Sequence, residues 1–188
     1  MFEACQEAAR RMAAFRGKWF IAGGWAIDLH IGEETRDHED IEVAIFRGDQ
    51  DELLHCLKGW NINIIEDKLL KPWNTSKYLE LPIHEIHASN NNEQLEILLN
   101  EKEGEHWVYR REPIIRFPLT HMHLHSEQGI PYLNPEIVLL YKAKVTHPKD
   151  ELDFEAVFPY LSERQKEWLK QALIQSEPEH LWLEKLLL

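Results

Sequence analysis

The sequence predicts an α/β (α+β) protein, in which a small mixed sheet flanked by helices precedes a C-terminal helical bundle. In residues 1–130, short apolar runs typical of strands alternate with helical spacing, whereas residues 131–188 show helical spacing almost throughout. The change falls near Gly129 to Pro131, so we predict one domain over residues 1–130 and a helical subdomain over residues 131–188. A chain of 188 residues is long enough to bury a core without a metal or a disulfide.

The elements of the first half follow from the spacing of apolar residues. Apolar side chains three or four apart from Phe2 to Phe15 predict a helix with one buried face, and Gly17 ends it. Acidic and apolar residues alternate from Asp40 to Phe46, which predicts a strand with Asp40 and Glu42 on one face. Further strands are predicted at residues 19–22, 60–65 and 94–99, and further helices at residues 25–30 and 49–57. The polar stretches 66–92 and 102–130 predict only loops and short strands.

The second half reads as four helices, at residues 135–145, 149–161, 163–174 and 179–188. Pro135 stands at the start of the first of them, and Ser162 precedes Glu163, both ordinary signals of a helix N-terminus.

Composition limits the classes of partner. The chain has 33 acidic and 21 basic side chains and a formal charge of −12. This excess argues against a nucleic-acid partner, which requires a basic surface, and favours a cationic small molecule or a phosphate ligand accompanied by magnesium. Two cysteines without a CxxC spacing, no signal-peptide pattern and no apolar run of about 20 residues predict a cytoplasmic protein with no membrane partner. The oligomeric state stays open.

The strongest motif is Gly23-Gly24 at the start of a helix, followed by Asp40-Ile-Glu42 on a strand. Two glycines before a helix let a phosphate approach the backbone, where free N–H groups and the helix dipole attract an anion. Carboxylates at positions i and i+2 of a strand lie about 7 Å apart on one side and offer the oxygen ligands that Mg²⁺ prefers. A phosphate cradle beside a magnesium site indicates phosphoryl or nucleotidyl transfer.

The longer strings Gly-Gly-Trp-Ala-Ile-Asp (23–28) and Thr-Arg-Asp-His-Glu-Asp-Ile-Glu (35–42) extend this motif. They resemble the nucleotidyltransferase superfamily that shares its fold with DNA polymerase β. Within it they resemble the antibiotic-modifying branch of aminoglycoside 2″-adenylyltransferases and lincosamide nucleotidyltransferases. The close resemblance covers residues 19–46, and a weaker one continues through residues 95–101, 107–111 and 132–144.

The resemblance implies an Mg²⁺-dependent enzyme that moves AMP from ATP onto a hydroxyl of a small, aminoglycoside-like molecule and releases pyrophosphate. Asp40 and Glu42 match the pair that binds Mg²⁺ and, through it, the triphosphate. Glu96 matches a third carboxylate, which holds a second metal ion or takes the proton of the acceptor hydroxyl. The branch usually has Asp at the position of Glu42, and the longer side chain moves the ligand oxygens by about 1.5 Å.

The same resemblance assigns the nucleotide-binding residues. Gly23, Gly24 and Arg36 hold phosphates, His38 orients the loop or contacts the nucleotide, and Lys142 reaches the triphosphate from the helical half. Alternatives from the residues themselves stay open at this point. Arg36 could pair with Asp37 or Glu39, Lys142 and Lys144 could lie on a solvated helix face, Glu96 could be neutralised by a nearby cation, and Trp25 could pack under the loop rather than stack on a base.

Two further alternatives concern metal and function. The alternation of His121, His123 and His125 is compatible with a Zn²⁺ site or with an exposed strand face. The chain could also be a non-catalytic nucleotide-binding or regulatory module of this fold, or a nucleotidyltransferase that acts on a protein or a tRNA. The negative charge disfavours the tRNA substrate.

Overall fold

The computed structural model describes residues 1–188, which form a mixed sheet covered by helices. The helices are α1 (Glu3–Met12), α2 (Gly23–Ile31), α3 (Gln50–Cys56), α4 (Pro135–Ala143), α5 (Pro148–Val157), α6 (Glu163–Ser176) and α7 (Trp182–Leu186). The strands are β1 (Trp19–Ile21), β2 (Glu42–Phe46), β3 (Asn61–Glu66), β4 (Leu69–Pro72), β5 (Glu85–Ser89), β6 (Gln94–Glu103), β7 (His106–Val108), β8 (Arg116–Pro118), β9 (His123–His125) and β10 (Pro131–Leu133).

Eight of the ten strands are hydrogen-bonded in the order β4-β3-β5-β6-β2-β1-β10-β9. The other two branch off, with β7 paired to the end of β6 and β8 paired to β7. Strand β2 lies at the centre, antiparallel to β1 and parallel to β6. Its residues Val43 to Phe46 are all buried, as expected for a strand covered on both faces. The register of β2 and β6 pairs Glu42 with Glu96, so the polar ends of two central strands meet.

The helices and the sheet share one hydrophobic core of 47 buried residues. Helix α2 packs against α4 and α5, and α4 packs against α6. Strand β10 follows the predicted boundary at residue 130 but is hydrogen-bonded to β1, so one strand of the main sheet belongs to the C-terminal part of the chain. The division of the chain at residue 130 stays a prediction.

Most predicted elements are present, with shifted ends. Asp40 precedes β2, which begins at Glu42, and β6 continues to Glu103 to pair with β7. The two polar stretches contain β4 and β5, and β7 to β9, which are strands of three to five residues and too short to show a clear period. None of the helices has the length and apolar character required to cross a membrane.

Candidate active site

A cleft of about 430 Å³ lies between the ends of β2 and β6 and helix α4. It contains all the residues that the sequence analysis assigned to catalysis, metal binding or nucleotide binding: Gly23, Gly24, Arg36, His38, Asp40, Glu42, Glu96 and Lys142. The fold thus brings together residues that are up to 119 positions apart in sequence (142 − 23).

The Gly23-Gly24 turn begins α2, and its backbone is in close contact with polar side chains. Gly23 has φ +59°, and a Cβ added there would overlap Oε2 of Glu42. A Cβ added to Gly24 would overlap the Arg36 guanidinium and the His38 ring. The sequence requires glycine at both positions because Glu42, Arg36 and His38 occupy the space that a side chain would take.

Three carboxylates line the cleft beside this turn. Glu42 and Glu96 are partners on adjacent parallel strands, which lie about 4.8 Å apart, and Asp40 is exposed just before β2. Burial raises the pKa of Glu42. Burial, followed by the charge of Asp40, raises the pKa of Glu96 to about 7. The charges of Asp40 and Glu42 both disfavour the ionised form of Glu96, and a bound cation would offset this effect.

Two cations of the cleft are held by buried aspartates of α5. Arg36 donates to both carboxylate oxygens of Asp153, with Nε–Oδ1 2.7 Å and Nη2–Oδ2 2.9 Å. Lys142 Nζ lies 2.6 Å from Asp150 Oδ1 and 3.0 Å from Asp153 Oδ2. The Asp153 side chain is fully buried, so this network joins the loop before β2 to α4 and α5.

These contacts decide between several alternatives. The alternative that Arg36 pairs with the carboxylate of Asp37 or Glu39 is wrong, because its carboxylate partner is Asp153 and Asp37 contributes only its backbone carbonyl. Lys142 faces the cleft, whereas Lys144 points outward and pairs with Glu177. Burial alone would lower the pKa of Lys142, but Asp153 and Asp150 outweigh it and raise that pKa.

The loop between α2 and β2 is anchored on Asp28, a fully buried residue of α2. Thr35 Oγ1 donates to Asp28 Oδ1 at 2.5 Å, and His38 Nε2 lies 2.6 Å from Asp28 Oδ2. Trp25 packs on the His38 ring, with ring centroids 4.3 Å apart. The sequence analysis included Asp28 in a motif without assigning it a role. A lone carboxylate among the apolar residues of Ala-Ile-Asp-Leu (26–29) nevertheless indicated a buried polar group.

Strand β5 contributes two residues that the sequence analysis missed. Glu85 and His87 line up beside Glu96, and the ligand atoms of these three side chains lie within 4.8 Å of one another. His87 Nε2 lies 2.6 Å from Glu85 Oε1. Their spacing of two residues was readable, but the surrounding segment, rich in Asn and His, gave no strand signal strong enough to place them.

The histidines at 121, 123 and 125 do not form a comparable group. His121 ends a short 3₁₀ helix, where its Nδ1 lies 2.9 Å from Thr120 Oγ1. His123 packs on the Phe20 ring at 4.6 Å between centroids, and His125 is exposed on β9. The alternation therefore marks an edge strand, and the Zn²⁺ alternative is wrong because the three rings do not converge.

The sheet order, the glycine turn and the carboxylates define a nucleotidyltransferase-fold protein. The sequence model of the aminoglycoside-2''-adenylyltransferase family matches residues 6–122, more than half of the chain. The chain belongs to that family, which confirms the predicted branch and makes it a nucleotidyltransferase. No individual curated protein sequence matches the chain.

Solved structures show the same fold. The solution structure of the antibiotic-resistance factor ANT(2'')-Ia aligns with 92% of this chain and 91% of its own, at 18% identity and a TM-score of 0.61. The crystal structure of ANT(2'')-Ia with adenylyl-2''-tobramycin aligns with 92% and 98%, at the same identity and TM-score. The lincomycin-bound lincosamide adenylyltransferase LnuA aligns with 85% and 98%, at 14% identity and a TM-score of 0.59. These likenesses confirm the predicted fold class.

The Gly23 contact can be tested with a matched glycine. We expect Gly23→Ala to weaken binding of a non-hydrolysable ATP analogue at least 10-fold, measured by calorimetry, because the new methyl group displaces the Glu42 carboxylate. Gly104→Ala is the control, since Gly104 also has positive φ (+56°) but open space around it. Both variants carry a backbone strain of about 1–2 kcal/mol. Equal analogue affinity in the two variants would show that the Glu42 position is unimportant.

The buried network predicts a large stability effect at Asp153. Asp153→Asn leaves Arg36 and Lys142 without their shared counter-charge, which should lower the free energy of unfolding by about 3 kcal/mol or more. Glu177→Gln, which breaks the exposed pair with Lys144, should cost less than about 1 kcal/mol. Urea unfolding at pH 7 measures both. A loss at Asp153 no larger than that at Glu177 would contradict the network's structural role.

Proposed function

We propose that this protein transfers AMP from ATP to a hydroxyl group of a small molecule, with Mg²⁺ as the required cation and pyrophosphate as the second product. The observation that carries the proposal is that Asp40, Glu42 and Glu96 line one cleft together with the Gly23-Gly24 turn. Membership of the adenylyltransferase family supports the reaction class. The role of each residue is assigned from its position and contacts in this cleft.

The carboxylate group fits a hard divalent cation. Asp40, Glu42 and Glu96 offer only oxygen ligands, and the burial that raises the pKa of Glu42 and Glu96 disfavours three uncompensated negative charges. Asp40 and Glu42 would hold Mg²⁺, and Glu96 would complete the site or bind a second ion. When bound, Mg²⁺ neutralises triphosphate charge and polarises the phosphoryl group that is transferred.

The other residues of the cleft would position the triphosphate. Backbone N–H groups at the start of α2 would point toward a phosphate group bound beside Gly23 and Gly24. Arg36 and Lys142 supply positive charge from two sides, and Asp153 fixes both of them. His38, locked against the buried Asp28, keeps the loop in contact with Gly24. Positioning and charge neutralisation of this kind account for most of the catalysis in phosphoryl transfer.

The transfer step then needs one proton acceptor. The acceptor oxygen attacks the α-phosphorus of ATP, the bond from that phosphorus to the bridging oxygen breaks, and pyrophosphate leaves with that oxygen. In the arrangement in which Glu96 does not bind an ion, the hydroxyl proton moves to the Glu96 carboxylate, which lies opposite Glu42 on β6. The acceptor is a small hydroxylated molecule, like the tobramycin and lincomycin in the similar structures of ANT(2'')-Ia and LnuA.

Nucleotide transfer by the Asp40→Asn variant tests the proposal. Wild type, ATP, Mg²⁺ and a panel of hydroxylated small molecules that includes aminoglycosides should release pyrophosphate and give an acceptor heavier by one AMP, detected by mass spectrometry. We expect Asp40→Asn to lower the rate by a factor on the order of 100 or more, since it removes a charge that stabilises the transferring group.

Asp37→Asn is the matched control, because Asp37 is an exposed aspartate of the same loop whose side chain does not line the cleft. Its rate should stay within about twofold of wild type. Full activity in Asp40→Asn would overturn the assignment of the carboxylates.

A further inference from the structure

Two consecutive arginines, Arg110 and Arg111, line the same cleft as the carboxylates. Arg36 and Lys142, in the same cleft, are paired with the aspartates of α5. Neither Arg110 nor Arg111 forms a salt bridge, although the cleft that they line also contains several acidic residues. The proposed nucleotide site does not use them, so their charge needs a separate explanation.

The partners of this arginine pair are all uncharged. Arg110 Nη2 lies 2.8 Å from His84 Nε2, and His84 Nδ1 lies 2.8 Å from the Pro82 carbonyl oxygen. Since a carbonyl oxygen only accepts, the proton of His84 is on Nδ1, and Nε2 accepts from Arg110. Burial lowers the pKa of His84, which keeps this imidazole neutral.

Arg111 likewise has neutral surroundings. Its Nη1 donates to the backbone carbonyl of Tyr141 at 3.1 Å. The guanidinium carbons of Arg110 and Arg111 lie 5.7 and 5.6 Å from the centroid of the Tyr141 ring, within the range of a cation–π interaction. These contacts orient the two side chains but leave two positive charges side by side without a counter-ion.

Such a pair is suited to binding an anion. A guanidinium stays protonated even when it is half-buried beside another, and it carries five N–H donors, only some of which are used here. Two guanidinium groups that are already oriented by neutral neighbours bind carboxylate or phosphate oxygens with little further loss of side-chain freedom. A bound anion would also remove the repulsion between the two arginines.

The position of the pair separates it from the Gly23-Gly24 turn and Arg36, whereas Lys142 directly follows Tyr141 in sequence. The Leu99 N–H donates to the His84 carbonyl at 2.8 Å, so His84, and with it Arg110, lies level with Leu99 on β6. Leu99 is three residues along β6 from Glu96, a distance of about 10 Å. The pair approaches from the segment after β7, whereas Gly23, Gly24 and Arg36 approach from α2 and the loop that follows it.

We propose that the acceptor molecule carries a carboxylate or phosphate group that Arg110 and Arg111 bind, while its hydroxyl lies at Glu96. This inference rests on the proposed function and specifies its acceptor. It adds an anionic group to the small-molecule acceptor of the proposed function, because the contacts of Arg110 and Arg111 include no carboxylate. Arg110 and Arg111 are then specificity residues rather than catalytic ones.

The experiment measures anion binding to the nucleotide-loaded protein. Wild type is saturated with a non-hydrolysable ATP analogue and Mg²⁺, so that the triphosphate site is filled. Its thermal unfolding midpoint is then followed with inorganic phosphate or malonate against chloride at equal ionic strength. We expect at least one of these anions to raise the midpoint by about 3 °C or more. A response to phosphate alone or to malonate alone identifies which group the acceptor carries.

The double variant Arg110→Gln/Arg111→Gln should lose this rise while keeping the affinity for the analogue within about threefold. Arg116→Gln, at an exposed arginine that pairs with Glu103 outside the cleft, should behave as wild type. If the double variant does not fold, Arg111→Gln alone, at the exposed member of the pair, should reduce the rise.

Three results would overturn the proposal. The first is no anion-specific rise in wild type, and the second is an equal rise in the double variant. The third is a loss of analogue affinity well beyond threefold in the double variant, which would assign the arginines to the triphosphate. Failure of the proposed function gives a different result from failure of the anion site. The ATP analogue would then give no stabilisation before any anion is added, and the acceptor assignment would also be wrong.

Discussion

The parallel register of β2 and β6 places Glu42 directly opposite Glu96, and the arrangement of charge in the cleft depends on this pairing. Burial raises the pKa of Glu96, and the charges of Asp40, just before β2, and of Glu42, at the start of β2, raise it further. In a structure without this register the two glutamates would lie on separate parts of the surface. The constraint thus converts an ordinary mixed sheet into a site suited to a divalent cation.

The neighbouring elements fit around the same carboxylates. Glu42 is one methylene longer than the aspartate usual in the resembling branch, and its carboxylate occupies the space above Gly23 where any other residue would carry a Cβ. On the other side, Asp153 links Arg36 to Lys142 and so couples the loop of the first half to the helices of the second. The cleft therefore exists only when both halves of the chain are packed together.

Local signals predicted most of the site, and non-local contacts account for what was missed. The period-two alternation at residues 40–46 and the two glycines before α2 depend on neighbouring residues, so the sequence alone indicated them. The partner of Arg36 is 117 residues away, and no local pattern distinguishes Asp153 from Asp37. Glu85 and His87 lie on a five-residue strand, which is too short for its alternation of polar and apolar residues to stand out in the sequence. The lack of a counter-ion at Arg110 and Arg111 is a property of the folded cleft, which a charge count cannot show.

Stabilisation by nucleotide with and without Mg²⁺, compared between wild type and Glu42→Gln, tests the central claim most directly. If the paired carboxylates hold the cation that binds the triphosphate, a non-hydrolysable ATP analogue at 100 times its Kd should stabilise wild type by about 2.7 kcal/mol. This gain should require Mg²⁺ and should largely disappear in Glu42→Gln. An equal gain without Mg²⁺, or an undiminished gain in the variant, would contradict the account.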